Sequence, residues 1–411
     1  MPLLEKSSTA SAQDSAPGQN GHTDSAAAFV PDQSRAERVT SFDVAAFGMP
    51  TGREEEWRFT PVDRLRSLLT DTPTQDGAVT YAVSAPDGVV VGSLAPGQAP
   101  RGTVLVPADR AAVVASANTP EALHVRIPAD AELTEPVNIR VIGVGGARSN
   151  AHHVIEAGRH SKAVVVLDHE GDAEHAGNVE VVVGDGADLT VVTIQSWGDE
   201  SHHLGQHDAL VGRDATYKHI VVSLGGSIVR INTNVRYAGP GGFATLLGVY
   251  FADAGQHLEH RSFVDHDAPH CRSSVTYKGA LQGDSAHTVW VGDVLIRAIA
   301  EGTETYELNR NLVLTEGARA DSVPNLEIET GEIIGAGHAS ATGRFDDEQL
   351  FYLQARGIPA DEARRLVVRG FLVDVVNQIP VADLRERLYA DIDDELATAQ
   401  RAGAEALKAS A

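Results

Sequence analysis

One stretch of the chain, HLEHRSFVDHDAPHC at residues 257–271, concentrates side chains that can bind a metal ion. Imidazole, thiolate and carboxylate groups are the usual protein ligands of zinc and iron. The members of this cluster are His257, His260, His266, His270, Cys271, Glu259, Asp265 and Asp267. Such ligands on neighbouring strands would suit a stand-alone, cupin-like metal-dependent enzyme, which is one interpretation of the sequence.

The alternative for these histidines follows from how many others the chain has. It contains 17 histidines, scattered along its length, among them His152, His153, His202, His203 and His207. On alternating strands such residues often face solvent or cap a turn. A histidine-rich stretch is therefore weak evidence for a metal site when it stands alone.

Cys271 follows His270, and a neighbouring imidazole can activate a thiol for nucleophilic attack. No signature of a cysteine-dependent enzyme surrounds the pair, and a buried structural thiol is the alternative. The sequence also contains no GxxxxGK[ST] phosphate-binding loop, no GxSxG motif and no HExxH motif. It therefore shows none of the local signatures of an ATPase, a serine hydrolase or a zinc protease.

A second candidate ligand, His338, stands among glycine, alanine, serine and threonine just before a predicted helix. Small residues around an imidazole permit the close approach of another chain. Neutral imidazole is a good ligand for iron or zinc. The alternative is an exposed loop histidine, and the residue types alone favour that alternative.

The elements that must position these residues are predicted to be strands. Between residues 101 and 332, short apolar runs with period-two alternation follow one another, separated by Gly, Asp and Asn turns, and no helix is predicted. Strands without helical crossovers argue against Rossmann and TIM-barrel folds and leave a sandwich, a barrel or a β-solenoid. The solenoid is favoured because a Gly-x-x-Ala corner recurs at Gly184, Gly212, Gly283 and Gly317.

Regions with a different amino-acid composition and a different predicted secondary structure flank this core. Residues 1–40 have almost no large apolar side chains and are predicted to be a disordered tail. Residues 41–100 are predicted to be partly helical, with a helix that begins at Thr60-Pro61. The β core is expected over residues 101–340, and a helical domain over residues 341–411. Within that domain, Asp346 is predicted to be the N-cap of a first helix. Pro359 and Pro380 are predicted to mark the starts of two further helices.

Composition restricts the partners and the compartment. The chain has 411 residues and a net charge of −24, so nucleic acid and anionic membrane surfaces are unfavourable partners. It has no apolar run long enough to span a bilayer and no signal-peptide pattern at its amino terminus. A single cysteine rules out a disulfide within the chain and fits a reducing cytoplasm, where we expect the protein to act.

Five stretches, in the same order along the chain, resemble the SufB/SufD family of iron–sulfur cluster assembly proteins. They are REEEWRFTP, DHDAPHCRSSVTYKG, NRNLVLTEGARADSVPNLEIE, GHASATGRFDDEQLFYLQARGI and RGFLVDVVNQIP. The resemblance covers roughly residues 41–390, and its most specific part runs from residue 309 to 358. The end of the chain is most similar to the SufD branch.

This resemblance implies a fold and a set of partners. The fold would be a right-handed parallel β-helix with helical regions at both ends. The chain would be a non-catalytic scaffold subunit that pairs with a SufB-like paralogue and binds a SufC-like ABC-type ATPase. A nascent iron–sulfur cluster, or its iron, would be shared transiently with the paralogue, and this chain alone would bind none tightly.

The resemblance also implies roles for particular residues. His338 matches the family histidine that helps to ligate iron or the nascent cluster at the subunit interface. Many family members have a cysteine two residues before that histidine; Ala336 stands there in this chain, so a thiolate role at that spot is lost. The following helix would be part of the ATPase-docking surface, through Asp347, Glu348, Leu350, Phe351, Tyr352 and Arg356.

Overall fold

Strands dominate the computed structural model, which describes residues 38–74, 77–345 and 347–409. The strands are β1 (Val79–Ser84), β2 (Val90–Leu94), β3 (Ala122–Ile127), β4 (Val137–Ala157), β5 (Lys162–Val183), β6 (Asp188–Trp197), β7 (His202–Val211), β8 (Thr216–Ser223), β9 (Ile228–Tyr237), β10 (Phe243–Ala252), β11 (His257–His266), β12 (Arg272–Leu281), β13 (His287–Ile296), β14 (Glu304–Val313), β15 (Arg319–Ile328) and β16 (Gly335–Arg344). The helices are α1 (Arg66–Leu69), α2 (Arg110–Ala117), α3 (Asp347–Gln354), α4 (Ala360–Val376) and α5 (Ala382–Ala409). The predicted tail lies outside the described residues except for residues 38–40.

The chain winds as a parallel β-solenoid of about 8 turns, which confirms the predicted fold class. Strand β5 pairs through its first half with β6 and through its second half with β7. From there the strands alternate between two arms, in the order β15-β13-β11-β9-β7-β5-β6-β8-β10-β12-β14-β16. Strands adjacent in sequence therefore lie in opposite arms.

The Gly-x-x-Ala corners lie where the chain turns from one arm to the next. At the first of them, the Ala187 amide donates to the Gly184 carbonyl over 3.0 Å, and β6 begins at the following residue. A Cβ atom on Gly184 would come within 2.7 Å of the Arg159 nitrogen in the preceding coil. Glycine is required at this corner because the stacked backbones leave no room for a side chain.

Two predictions for the amino-terminal half are wrong. Residues 110–117 form helix α2, whose N-cap Asp109 accepts a hydrogen bond from the Ala112 amide over 2.9 Å. Thr60 caps no helix; its hydroxyl donates to the Glu259 carboxylate over 2.7 Å, and a short 3-10 turn, Val62–Arg64, then leads to the one-turn helix α1. Residues 41–100 also contain strands β1 and β2, which were not predicted.

Apolar packing occurs both inside and outside the solenoid. Val, Ile, Leu and Ala side chains of the strands fill the interior. Outside, Trp57, Leu65 and Leu68 pack on Leu204 of β7. On the opposite arm, helices α4 and α5 cover β6, β8 and β10. Strands that are buried on both faces have almost continuous apolar sequences. For this reason these strands could be predicted from the sequence.

The carboxy-terminal helices agree with the prediction. Helix α4 begins directly after Pro359, and α5 begins shortly after Pro380. The predicted cap of α3, Asp346, lies outside the described residues. The ammonium group of Lys278, on β12, lies 2.7 Å from the Asp374 carboxylate and joins α4 to the solenoid. Across the described ranges, no helix has both the length and the apolarity needed to cross a bilayer.

Candidate functional site

The solenoid ends in a coil whose outer edges are open within the described part of the chain. Strand β15 pairs with β13 and β16 pairs with β14, and both lie at the ends of the strand order. Most residues of these two strands are half-buried or exposed, in contrast to the buried strands before them. Ile334, just before β16, is 71% exposed. An open parallel edge with exposed apolar side chains can pair with another chain.

His338 lies on β16 and is exposed, so it belongs to a strand and not to a loop. It shares its face of the strand with Ala336 and Thr342. Ala336 packs against the interior core, and the Thr342 hydroxyl oxygen lies 3.3 Å from the Asn311 side-chain nitrogen. The imidazole therefore projects from the interior-facing side of the last strand, at the open end of the solenoid.

The small residues around His338 leave this edge accessible. A Cβ atom built on Gly335 or Gly343 would meet no described atom within 4 Å, and one on Gly337 would come 3.3 Å from the Tyr306 ring. The fold therefore does not require glycine at the first two positions. The approach of another chain at these glycines therefore stays a prediction of the sequence.

Glu307 is the register partner of His338 on β14. Its side chain is buried, and neither carboxylate oxygen has a hydrogen-bond partner among the described residues. Burial, with repulsion from Asp293, raises the pKa of Glu307 to about 8. A buried, unpartnered carboxyl beside an exposed imidazole marks a candidate functional site because such a group is unfavourable unless it has a role.

A polar network joins β14 to β10 and β15, and it reaches β16 through the Asn311 side-chain nitrogen, which lies 3.3 Å from the Thr342 hydroxyl. The Asn309 amide donates to the Tyr250 hydroxyl over 2.9 Å, and the Asn311 amide donates to the Asn309 carbonyl oxygen over 2.8 Å. Ser322 donates to the same oxygen over 2.6 Å and joins β15 to the network. Such networks rigidify the elements that they join, so this one stabilises the packing of β14, which carries Glu307, against its neighbouring strands.

The structure separates the cluster at residues 257–271. On β11, His257 contacts His287 and Glu259, on the side where the amino-terminal region packs. His260 faces the interior and stacks on Tyr250. His266 bonds to Ser273, and His270 is exposed in a turn with a φ of 58°. Residues on opposite faces of one strand do not converge on one ion, so the geometry does not support the cupin-like enzyme.

Cys271 is buried, and its thiol contacts the Gly239 and Pro269 carbonyls. Burial raises the pKa of the Cys271 thiol, which keeps it protonated and unreactive. The structural-thiol interpretation agrees with this environment.

The expectation that the scattered histidines face solvent is wrong for most of those it named. His152, His153, His203 and His207 are buried, and His202 is half-buried. Three interior histidines, His169, His175 and His203, come close together, although they are far from residues 257–271 in the chain. The sequence offered no local signal for this group because its members converge only through strand pairing.

The chain matches the family model "SUF system FeS cluster assembly, SufBD core domain" over residues 141–371. It belongs to the SufB/SufD family. An iron–sulfur cluster assembly SufBD family protein of Mycobacterium tuberculosis is 54% identical over 369 residues, which cover 88% of this chain and 93% of the relative. The iron–sulfur cluster assembly protein SufD of Escherichia coli is 24% identical over 381 residues, or 85% and 90% of the two chains. SufD of Bacillus subtilis is 30% identical over 216 residues, or 52% and 49%.

In this SufB/SufD-family chain, the predicted docking helix α3 presents aromatic side chains to solvent. Phe351 is 72% exposed and Tyr352 is 56% exposed. The Arg356 guanidinium lies 4.4 Å from the centre of the Tyr352 ring. Leu350 is half-buried and Glu348 is exposed, whereas the side chain of Asp347 is outside what the structure describes. Exposed aromatic residues beside an arginine are typical of protein-binding surfaces, so α3 remains the predicted docking surface.

Proposed function

We propose that this chain is a non-catalytic scaffold subunit of a SufBCD-type complex that acts in the cytoplasm. It supports iron acquisition and nascent iron–sulfur cluster formation where its open solenoid end meets a SufB-like paralogue. Membership of the SufB/SufD family supports the general function. The observation that carries the finer proposal is the open edge of β16, with His338 exposed on it.

The open coil suits a paralogue that is itself a solenoid. Among the described residues, strand β16 pairs only with β14, so backbone groups on its other side are available, and its glycines allow a partner backbone to approach. Burial of Ile334 and its neighbours would stabilise the complex through the hydrophobic effect. A partner at this end would cover the apolar surface that the last coil leaves exposed.

The cluster or its iron is the cargo of this interface. His338 would supply an imidazole, and Glu307 would supply a carboxylate once metal displaces its proton. Iron–sulfur clusters generally need four ligands, mostly thiolates, and Ala336 stands where many family members have a cysteine. Thiolates must therefore come from the paralogue, and the chain alone should bind no cluster tightly.

ATP hydrolysis would come from a SufC-like ABC-type ATPase bound to α3. The proposed contact residues are Asp347, Glu348, Leu350, Phe351, Tyr352 and Arg356. Two exposed aromatic rings in adjacent positions would form the centre of such a contact, with charged groups around them.

The direct test is anaerobic purification of the tagged full-length chain from its native host, with identification of its partners and assays of iron and sulfide. We expect a homologous SufB-like chain and a Walker-motif ATPase in fixed stoichiometry, and loss of the paralogue when Gly335 and Gly343 are both replaced by Leu. Recovery of the wild-type chain alone, with neither partner, would overturn the proposal.

A further inference from the structure

Three buried imidazoles meet inside the solenoid, far along the chain from His338. His169 and His175 lie on the two halves of β5, and His203 lies on β7 in register with His175. One ring nitrogen of each lies within 4.8 Å of the others, and the ring centres are 4.8 to 5.7 Å apart. The Trp197 ring packs against all three, with centre-to-centre distances of 5.3 to 5.7 Å.

The Nδ1 atom of each histidine has a polar neighbour that can accept its proton. His169 Nδ1 lies 2.9 Å from the Ile194 carbonyl oxygen, which only accepts, so this nitrogen carries the proton and Nε2 has a free lone pair. His175 Nδ1 lies 2.7 Å from the Ser149 hydroxyl. That hydroxyl lies 3.5 Å from the Glu174 carbonyl oxygen, and when its hydrogen points there it can accept from His175. Metal-binding histidines are oriented by acceptors of this kind on the nitrogen that does not bind.

The tautomer of His203 decides whether its Nε2 atom can bind a metal ion. Its Nδ1 lies 2.9 Å from the Gln195 side-chain oxygen and 3.1 Å from the Trp197 indole nitrogen. If Nδ1 donates to Gln195, Nε2 is free to bind a metal. If Nδ1 accepts from Trp197, the proton sits on Nε2. A bound cation would select the first tautomer.

The Nε2 atoms of His175 and His203 have no hydrogen-bond partner anywhere in the described ranges, although both side chains are buried. Both face the same space. A Cβ atom built on Gly177 would come 2.7 Å from His175 Nε2 and 3.5 Å from His203 Nε2. Gly177 thus lies beside both nitrogens, and any larger residue at this position would clash with the His175 ring. Burial also lowers the pKa of all three imidazoles, so they are neutral, which is the form that binds metal.

We propose that His169, His175 and His203 form a buried site for one divalent transition-metal ion of the Zn²⁺ or Fe²⁺ type. Three imidazoles suit these ions, whereas Mg²⁺ and Ca²⁺ prefer oxygen ligands. In a tetrahedral site with ~2.1 Å bonds, ligand nitrogens lie roughly 3.4 Å apart, so the rings close slightly around the ion. This site is independent of the proposed cluster end, because neither His338 nor Glu307 belongs to it.

A fourth ligand from solution completes the coordination. A divalent ion among three neutral imidazoles would leave a charge of +2 in an apolar interior, which is unfavourable. Hydroxide or another small anion lowers that charge to +1 and fills the fourth position of a tetrahedral zinc site. Because the site is enclosed by the coils, we expect the ion to enter while the chain folds.

The test is the zinc content of the full-length, tag-free chain folded in the presence of Zn²⁺ and then dialysed against a chelator. We expect ~1 zinc per chain, with X-ray absorption showing about three imidazole ligands. His203→Gln should abolish retention. Ser149→Ala removes the hydroxyl that contacts His175 Nδ1 but no proposed metal ligand, and it should lower affinity about 10–100-fold.

Matched controls separate this site from other histidines. His260 is also buried and interior-facing but lies outside the group, so His260→Gln should retain zinc, as should His338→Ala. The proposal is overturned if the folded wild-type chain retains no zinc, or if its absorption spectrum shows no imidazole ligation. It is also overturned if folded Ser149→Ala and His203→Gln chains, checked by circular dichroism, bind zinc as the wild type does.

Discussion

His338 and Glu307 are direct register partners on the last two strands of one solenoid arm, one exposed and the other buried. Both side chains belong to the interior-facing side of the sheet, and the solenoid ends above them. The fold thus brings together an accessible imidazole and a carboxyl that has no hydrogen-bond partner among the described residues, at the surface where a second subunit is proposed to bind. Their different burial leads to different predictions for the two residues.

Glu307→Gln should stabilise the isolated chain at alkaline pH. Burial raises the pKa of Glu307 to about 8, so the folded state holds a proton that the unfolded state has lost above its ordinary pKa. Stability should therefore fall as the pH rises between about 4.5 and 8, at up to about 1.4 kcal/mol per pH unit. Gln removes this dependence. Denaturant unfolding of both chains across this range measures the difference.

Glu304→Gln is the matched control, because Glu304 is an exposed carboxylate on the same strand. It should leave the pH dependence of the wild type unchanged. Asp208, whose pKa burial raises to about 7, contributes to both curves and cancels in the comparison. Parallel pH curves for the wild type and Glu307→Gln would show that Glu307 titrates normally in the folded chain.

His338→Ala should leave the fold intact and impair cluster assembly. The side chain is exposed, so the free energy of unfolding should change by less than about 0.5 kcal/mol. In the complete complex, loss of one ligand should lower the cluster content about tenfold or more, the scale typical of a damaged metal site. Iron and sulfide assays on the anaerobically reconstituted complex measure this effect.

Ser340→Ala serves as the control for His338, since Ser340 is exposed two residues along the same face. It should assemble clusters at the wild-type level. Equal cluster contents for His338→Ala and Ser340→Ala would remove His338 from the proposed site.

The solenoid could be predicted because its signals are local. Each corner, such as those at Gly184 and Gly212, is marked by a pattern of only a few residues. Strands that are buried on both faces are apolar along their length. Helix α2 was missed because residues 111–115 are all Ala or Val and are all buried. A short helix that is apolar on every side has no polar face, so its sequence does not show the helical alternation of apolar and polar residues.

Part of the candidate site could be proposed from the sequence, and none of its roles has been tested. His338 was identified through the family resemblance and the small residues beside it. Glu307 was missed because its importance depends on the pairing of β14 with β16, which its own neighbourhood, ETYELNRNLV, does not reveal. In the same way, the meeting of His169 with His203 depends on how β5 bends and pairs, which is a property of the folded chain.

Arg230→Met should destabilise the junction between the amino-terminal region and the solenoid. Its buried guanidinium lies 2.7 Å from the Asp109 carboxylate and 3.4 Å from that of Glu259, and 4.1 Å from the centre of the Trp57 ring. Removing the guanidinium leaves the buried Asp109 and Glu259 carboxylates without this cation. Such a loss typically lowers the free energy of unfolding by about 3–5 kcal/mol. Denaturant unfolding measures the loss, and limited proteolysis should show earlier cleavage near Trp57.

Arg261→Met is the matched control. Arg261 lies two residues after Glu259, the register partner of Arg230, and its guanidinium contacts the Glu259 carboxylate over 3.2 Å; its side chain is 10% exposed. Because Arg261 is more exposed than Arg230, and Glu259 keeps its contact with Arg230 in this variant, the loss should be smaller than that for Arg230→Met. Equal losses for the two variants would show that the buried position of Arg230 confers no special role.

The double variant Phe351→Ala/Tyr352→Ala should weaken binding of the SufC-like ATPase without unfolding the chain. Both rings are largely exposed on α3, so their removal takes little from the fold. Aromatic residues at the centre of an interface typically contribute about 2 kcal/mol or more, which corresponds to a roughly thirtyfold rise in Kd. Titration calorimetry with the purified ATPase measures this change in Kd.

The control variant is Val91→Ala, at a 41% exposed apolar position on β2, and it should bind the ATPase as the wild type does. Charge reversal of Asp347 and Glu348 should also weaken binding, most strongly at low salt. Unchanged affinity for both the aromatic and the charge-reversal variants would exclude α3 as the docking surface.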